Sequence, residues 1–324
     1  MLAHQRVRSW TEPDRLQETP ATRIASLLAS GTEIACALGL GDRLVGISHE
    51  CDYPPEVLDR PRLSRPRFDP TGLTSGAIDA EVRRAMRAQG SVYVVDADRL
   101  AAVRPDLILT QAVCDVCAVP TASAREAAAS LGYEPTIVSL DSHNLEGIFR
   151  SILDVGRAAG VADRADAVVA QLQRRLEVVR ERVAYRPEPR VLALEWLDPP
   201  FVPGHWVPEM VEEAGGRNVA GAAGGRSYEV SWSELEELAP HVLIVMPCGF
   251  GLEAARADAF RHAQQLRTVA PEAFEAQRVY VVDASSYFNR SGPRVVDGTE
   301  MLGAIVHPEI FPQTNLVGRA TRWL

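Results

Sequence analysis

Apolar positions along this chain follow two alternating rhythms. Short apolar runs lie at residues 23–28, 44–48, 92–95, 107–111 and 136–140. The stretches between them carry apolar residues every three to four positions, the first at 31–39. Strands alternating with helices predict parallel βα units in an open α/β sheet. The strand rhythm resumes at 190–195, 242–246 and 278–282, and 294–306 closes the series as a helix. Between the two series, residues 144–184 read as one uninterrupted helix. Its apolar face runs through Ile148, Ile152, Val155, Ala159, Val168, Val169, Leu172, Leu176 and Val179. Roughly 40 residues at about 1.5 Å each make a rod near ~60 Å. That is longer than one lobe of such a chain, so the helix is expected to join two lobes.

The two halves also resemble each other. At a constant offset Leu100, Val103 and Pro105 fall on Leu235, Leu238 and Pro240, ahead of the apolar runs 107–111 and 242–246. Each half therefore repeats a short helix, a proline, and a strand that opens into a cysteine-bearing loop. The fold class expected is α/β, two Rossmann-like lobes joined by a long rigid backbone helix, with a ligand cleft between the lobes. The boundaries are an N-terminal extension over residues 1–22, a first lobe over 23–143, the connecting helix over 144–186, a second lobe over 187–312 and a C-terminal tail over 313–324.

Composition narrows the chemistry. All 34 basic residues are Arg and no Lys occurs, which closes Schiff-base, pyridoxal and Walker-type lysine mechanisms. A net charge of −9 argues against an electrostatic nucleic-acid binder. No nucleophile elbow, H-E-x-x-H or paired-carboxylate motif appears. Gly39-x-Gly41 follows a helix and precedes a strand, the wrong order for a dinucleotide loop, and reads as a cap and turn. The polar N-terminus lacks the apolar core of a secretion signal, and the five Cys are an odd number. Together these predict a cytoplasmic chain with free or metal-bound thiols.

Ligands of open α/β sheets bind beyond the carboxyl ends of the strands. The chemically distinctive residues collect there. Tyr53, Trp196, Phe201, His205, Trp206, Phe250, Tyr287 and Phe288 offer aromatic surface for a large flat ligand, with Arg290 to pair with its polar rim. His49, Cys51, Cys114, Cys117 and Cys248 offer soft ligands, in which Cys114-x-x-Cys117 is a moderate signal. That set is open to three readings: metal or corrin-metal ligands, a redox thiol pair, or small residues filling tight loops. Cys36, within the first helix, reads as core.

The segment RIASLLASGTEIACALGLGDRLVGIS from Arg23 to Ser48, CDYPPE from Cys51 to Glu56 and RPDLIL from Arg104 to Leu109 resemble the Fe/B12 periplasmic-binding domain. The likeness covers about residues 23–311 and is nearest to vitamin B12-binding members. It implies a substrate-binding protein of the kind that serves iron-siderophore, haem and cobalamin ABC importers. It also implies two lobes on one long helix and no turnover. The family's permease-docking glutamates, one per lobe, find loose counterparts in Glu50 and Glu195. The cysteine set and the missing signal segment depart from the family pattern. The function expected is a cytoplasmic binding protein for cobalamin or a related corrinoid or metal-bearing macrocycle. A directly bound metal ion accompanies that expectation, and an ABC permease or a corrinoid-using protein would receive the ligand. Two alternatives stand beside it: a cytoplasmic metal or Fe–S protein, with redox activity, built on the cleft Cys and His, and an importer subunit for a siderophore or haem.

Overall fold

The computed structural model describes residues 22–112 and 119–323. The expected extension therefore lies almost wholly outside the described residues, as do Cys114 and Cys117.

The first lobe runs β1 (Ile24–Ser26), α1 (Ala29–Ala37), β2 (Leu44–Gly46), β3 (Ser64–Pro66), α2 (Ser75–Gln89), β4 (Tyr93–Val95), α3 (Ala97–Val103), β5 (Leu107–Thr110), α4 (Thr121–Ala129) and β6 (Thr136–Ser139). Its main sheet is parallel in the order β2-β1-β5-β6, while β3 and β4 form a separate antiparallel pair. Two helices follow, α5 (Leu145–Ala158) and α6 (Ala162–Val183).

The second lobe opens with β7 (Arg190–Leu194), β8 (Trp196–Leu197), β9 (Pro200–Val202), α7 (Val207–Glu213), β10 (Arg217–Asn218), β11 (Tyr228–Glu229), α8 (Trp232–Glu236) and β12 (Val242–Val245). It continues through α9 (Leu252–Arg261), α10 (Ala263–Val269), α11 (Pro271–Glu275), β13 (Val279–Val282), α12 (Ala284–Tyr287), α13 (Val295–Val306) and β14 (Ala320–Arg322). The sheet order is β10-β7-β12-β13-β14, so its first four strands repeat the topology of the first lobe.

The repeat reaches individual residues. The Arg23 guanidinium donates to the carbonyls of Val103 and Arg104, and that of Arg190 donates to those of Leu238 and Ala239. Arg104 and Ala239 both take left-handed backbone conformations, at φ 41° and 40°, directly before Pro105 and Pro240. Equivalent arginines therefore pin equivalent turns ahead of β5 and β12.

The expected single helix over 144–184 is broken. Gly160 sits at φ +70° between α5 and α6, a conformation that ends a helix at little cost for glycine. The helices then pack on each other, and a Cβ on Gly156 would lie 2.4 Å from that of Ala165. No 60 Å rod exists; α6 spans from one lobe to the other, with α5 packed alongside it. At its N-terminal end Arg164 donates to Leu38 O of the first lobe. Further along, Arg175 binds Asp297 and Glu300 on α13, and Arg180 binds Glu213 on α7. The apolar positions Ala165, Val169, Leu172, Leu176 and Val179 are buried along it, and one core cluster runs from α1 through α5 and α6 into α7 and α13. The expected tail over 313–324 differs as well, because β14 pairs antiparallel with β13 and so belongs to the second sheet.

Candidate functional site

Each sheet ends its parallel strands at one edge, and the loops leaving those edges meet between the lobes. The strongest meeting is ionic. Glu33, on α1 and only 2% exposed, accepts from Arg290 at 3.2 Å and from Arg294 at 2.6 and 2.9 Å. Arg290 also reaches both Asp52 oxygens, at 2.5 and 2.9 Å, and the Glu50 carbonyl. Arg294 lies over the ring of Tyr53, 4.4 Å from its centre, and 5.5 Å from that of Tyr287, where Arg319 also approaches. Two further ties flank the cleft. Ser75 Oγ donates to the fully buried Asp258 at 2.9 Å, and Glu209 of α7 accepts from the Leu145 N–H that opens α5. Arg290, expected to meet the ligand rim, instead spends its donors on Asp52, Glu33 and Glu50 as an inter-lobe tie.

The aromatic residues divide into two groups. Trp196 and Phe201 stand opposite each other across the β8–β9 hairpin, which places them on one face. Phe250 meets Trp196 edge to face, with ring centres 5.2 Å apart, and the Trp196 indole N–H donates to Asp198 O. All three are half-buried and form an apolar wall, Trp196 and Phe201 on the β8–β9 hairpin that follows β7 and Phe250 on the loop that follows β12. Trp206 and Phe288 are different. Phe288 is wholly buried in the core, and Trp206, 8% exposed, donates its indole N–H to Phe288 O at 2.7 Å. Both were expected as ligand surface, yet they lock α7 against the turn before α13. Burial removes them from the cleft.

The soft-ligand set does not assemble among the described residues, where no group of three or more His, Cys, Asp or Glu is placed to hold an ion. Cys51 is buried in the first-lobe core with its Sγ 3.0 Å from Thr32 Oγ1, and burial pushes its thiol up, away from the thiolate a metal needs. Cys36 packs against the same core, its thiol pushed up to about 11 by burial. Cys248 is a half-buried free thiol whose N–H binds Glu195 O. His49 is committed to its own lobe, its Nδ1 2.8 Å from Ser64 Oγ and its ring 4.9 Å from that of Tyr93. Tyr93 in turn donates to Glu50.

Burial, aided by the Arg62 cation, holds His49 down to about 4 from an ordinary 6.5. The unfolded chain therefore takes up a proton between pH 6.5 and 4 that the folded chain refuses. Stability from this residue is complete above pH 6.5 and lost as pH falls toward 4, by about 2–3 kcal/mol. Urea midpoints between pH 7 and 4.5 are expected to fall less steeply for His49→Gln than for the parent chain; parallel slopes would contradict this.

One pair was missed in the sequence. His143, exposed after β6, and His205, half-buried before α7, place their ring centres 5.8 Å apart, one from each lobe. The spacing of 62 residues hides the pair, and the left-handed turn that aims His205 has no sequence signature.

A family model described as periplasmic binding protein matches residues 24–285. An uncharacterized ABC transporter substrate-binding lipoprotein, YvrC of Bacillus subtilis, is 23% identical over 90% of this chain and 82% of its own length. The vitamin B12-binding protein of Vibrio cholerae is 25% identical over 87% of this chain and 88% of its own. Among solved structures, a periplasmic heme-binding protein from Pseudomonas aeruginosa superposes at TM-score 0.68, with 22% identity, over 90% of this chain and 95% of that one. The periplasmic vitamin B12-binding protein BtuF of Vibrio cholerae does so at 0.65, with 22% identity, over 89% and 97%. The structural likenesses show the fold. The relatives correct the expected cytoplasmic location: a lipoprotein and periplasmic proteins point to a place outside the cytoplasm.

Proposed function

The chain belongs to the periplasmic binding protein family, and from that premise we propose that it carries a cobalamin or related corrinoid between its lobes to an ABC permease, without chemical turnover. The observation that carries this reading is the apolar wall of Trp196, Phe201 and Phe250 at the strand ends of the second lobe. A half-buried aromatic face of that kind suits a large, flat, partly apolar ring better than a small polar solute. The B12-binding relatives support the corrinoid assignment. Tyr53, exposed at 45%, and Tyr287 extend the aromatic border from the Arg294 side. A haem ligand is the second reading, favoured by the likeness to heme-binding folds.

Trp196 touches the proposed ligand and anchors no core cluster by itself. Trp196→Ala is therefore expected to weaken cobalamin binding at least about tenfold, or 1.4 kcal/mol, while leaving the thermal midpoint within a few degrees. Difference-absorbance titration of both proteins checks it. Equal affinities would remove the wall from the site.

A further inference from the structure

His143 and His205 are the imidazoles that face each other from opposite lobes, and three observations set them apart. First, their ring centres are 5.8 Å apart and the rings tilted by 37°. Two imidazoles on one ion have ring centres roughly 5–6.5 Å apart, since each metal–nitrogen bond is about 2 Å. Second, His205 Nδ1 is buried and has no hydrogen-bond partner among the described residues. A buried ring nitrogen left without a partner costs free energy unless something else fills the position. Third, His205 is held at φ +52°, in the left-handed region that histidine enters more readily than β-branched residues do. Both of its backbone groups are fixed there: its N–H donates to Gly225 O at 2.7 Å, and its carbonyl accepts from Gly224 N–H at 2.8 Å. The turn thus holds the ring in place rather than leaving it to drift.

We propose that His143 and His205 form an inter-lobe site for one divalent transition-metal ion of the class that imidazole prefers, such as Zn²⁺ or Ni²⁺. Each ring supplies one neutral nitrogen, and water or a bound small molecule completes the coordination sphere. Burial, with His143 and the Arg226 cation adding to it, lowers the proton affinity of His205 and so keeps the ring in its ligating form. The site lies where α5 and α7 begin, close to the tie between Glu209 and the Leu145 N–H. An ion held there would join the two lobes beside that tie. The metal is bound directly, so the proposal stands apart from the corrinoid reading.

Zn²⁺ titrated by calorimetry into the full chain, free of chelator and of any macrocycle, tests it. One ion per chain is expected, with affinity falling at least about tenfold in His143→Ala and in His205→Asn. His143 is exposed, so its replacement leaves the fold intact, and asparagine tolerates the left-handed backbone at position 205. Cu²⁺ loaded in place of Zn²⁺ should show two nitrogen ligands by electron paramagnetic resonance in the parent chain and one in His143→Ala. Absence of Zn²⁺ binding, or binding unchanged in His143→Ala, would overturn the site. Because no macrocycle is present, either failure leaves the corrinoid reading untouched, and a failed cobalamin titration leaves this site untouched.

Discussion

Replacing Glu33 by alanine is expected to lower the unfolding free energy by about 3–5 kcal/mol, one of the two largest effects in this molecule. Glu33 is 2% exposed, and the guanidiniums it binds are 11% and 13% exposed. Removing the carboxylate leaves Arg290 with Asp52 as its carboxylate partner, beside the neutral Glu50 carbonyl and Ser285 Oγ, and leaves Arg294 with ring contacts but no carboxylate among the described residues within ion-pair distance. A cation stranded away from water is what makes breaking a buried pair so much more costly than the pair's own net contribution. Because Glu33 belongs to the first lobe and both arginines to the second, the loss also loosens the lobes against each other. Urea unfolding followed by tryptophan fluorescence measures it. Glu33→Gln keeps an acceptor in place and should lose less. A loss below about 1 kcal/mol for the alanine variant, the level of an exposed surface pair, would mean that the cluster is solvated.

Val169→Pro is expected to cost about 3 kcal/mol or more. Proline there removes the N–H that binds Ala165 O and drives its ring against that carbonyl. The position lies between Arg164, anchored on the first lobe, and Arg175, anchored on α13 of the second. A kink at that point displaces one anchor relative to the other, so limited proteolysis should cut both lobes faster. Faster cutting of one lobe alone would show that α6 does not bridge.

Strands β1, β2, β5 and β6 of the first sheet and β7, β12 and β13 of the second could be read from the sequence to within a residue or two, because buried parallel strands appear as short unbroken apolar runs; the short polar β10 and the terminal β14 carry no such run. The repeat was legible for the same reason: Leu100, Val103 and Pro105 return as Leu235, Leu238 and Pro240 in equivalent elements. Helix α2 escaped notice because it is largely polar, with only Ser75 and Ala85 buried. The break at Gly160 escaped because α5 and α6 each keep a helical apolar rhythm, and a period does not reveal that the chain has turned back between them. Trp206 and Phe288 were misplaced because a loop aromatic can face a ligand or plug a core, and the sequence shows only that it is aromatic. The clamp is a matter of range. Glu33 and Arg290 are 257 residues apart, and nothing local in either segment announces the other. Cys51 shows the reverse error, a residue of suggestive chemistry whose neighbours in space are Thr32 and the apolar core.

The central claim, that the cleft between the lobes holds a corrinoid, is tested most directly by titrating cobalamin into the purified chain while following tryptophan fluorescence. Trp196 stands on the proposed binding wall, so bound corrin should quench the emission saturably, with half-saturation at or below tens of micromolar, about 6 kcal/mol of binding free energy. Haem in a parallel titration should saturate at higher concentration. Saturable quenching by haem with none by cobalamin would reassign the ligand, and no saturable quenching by either at that concentration would contradict macrocycle binding altogether.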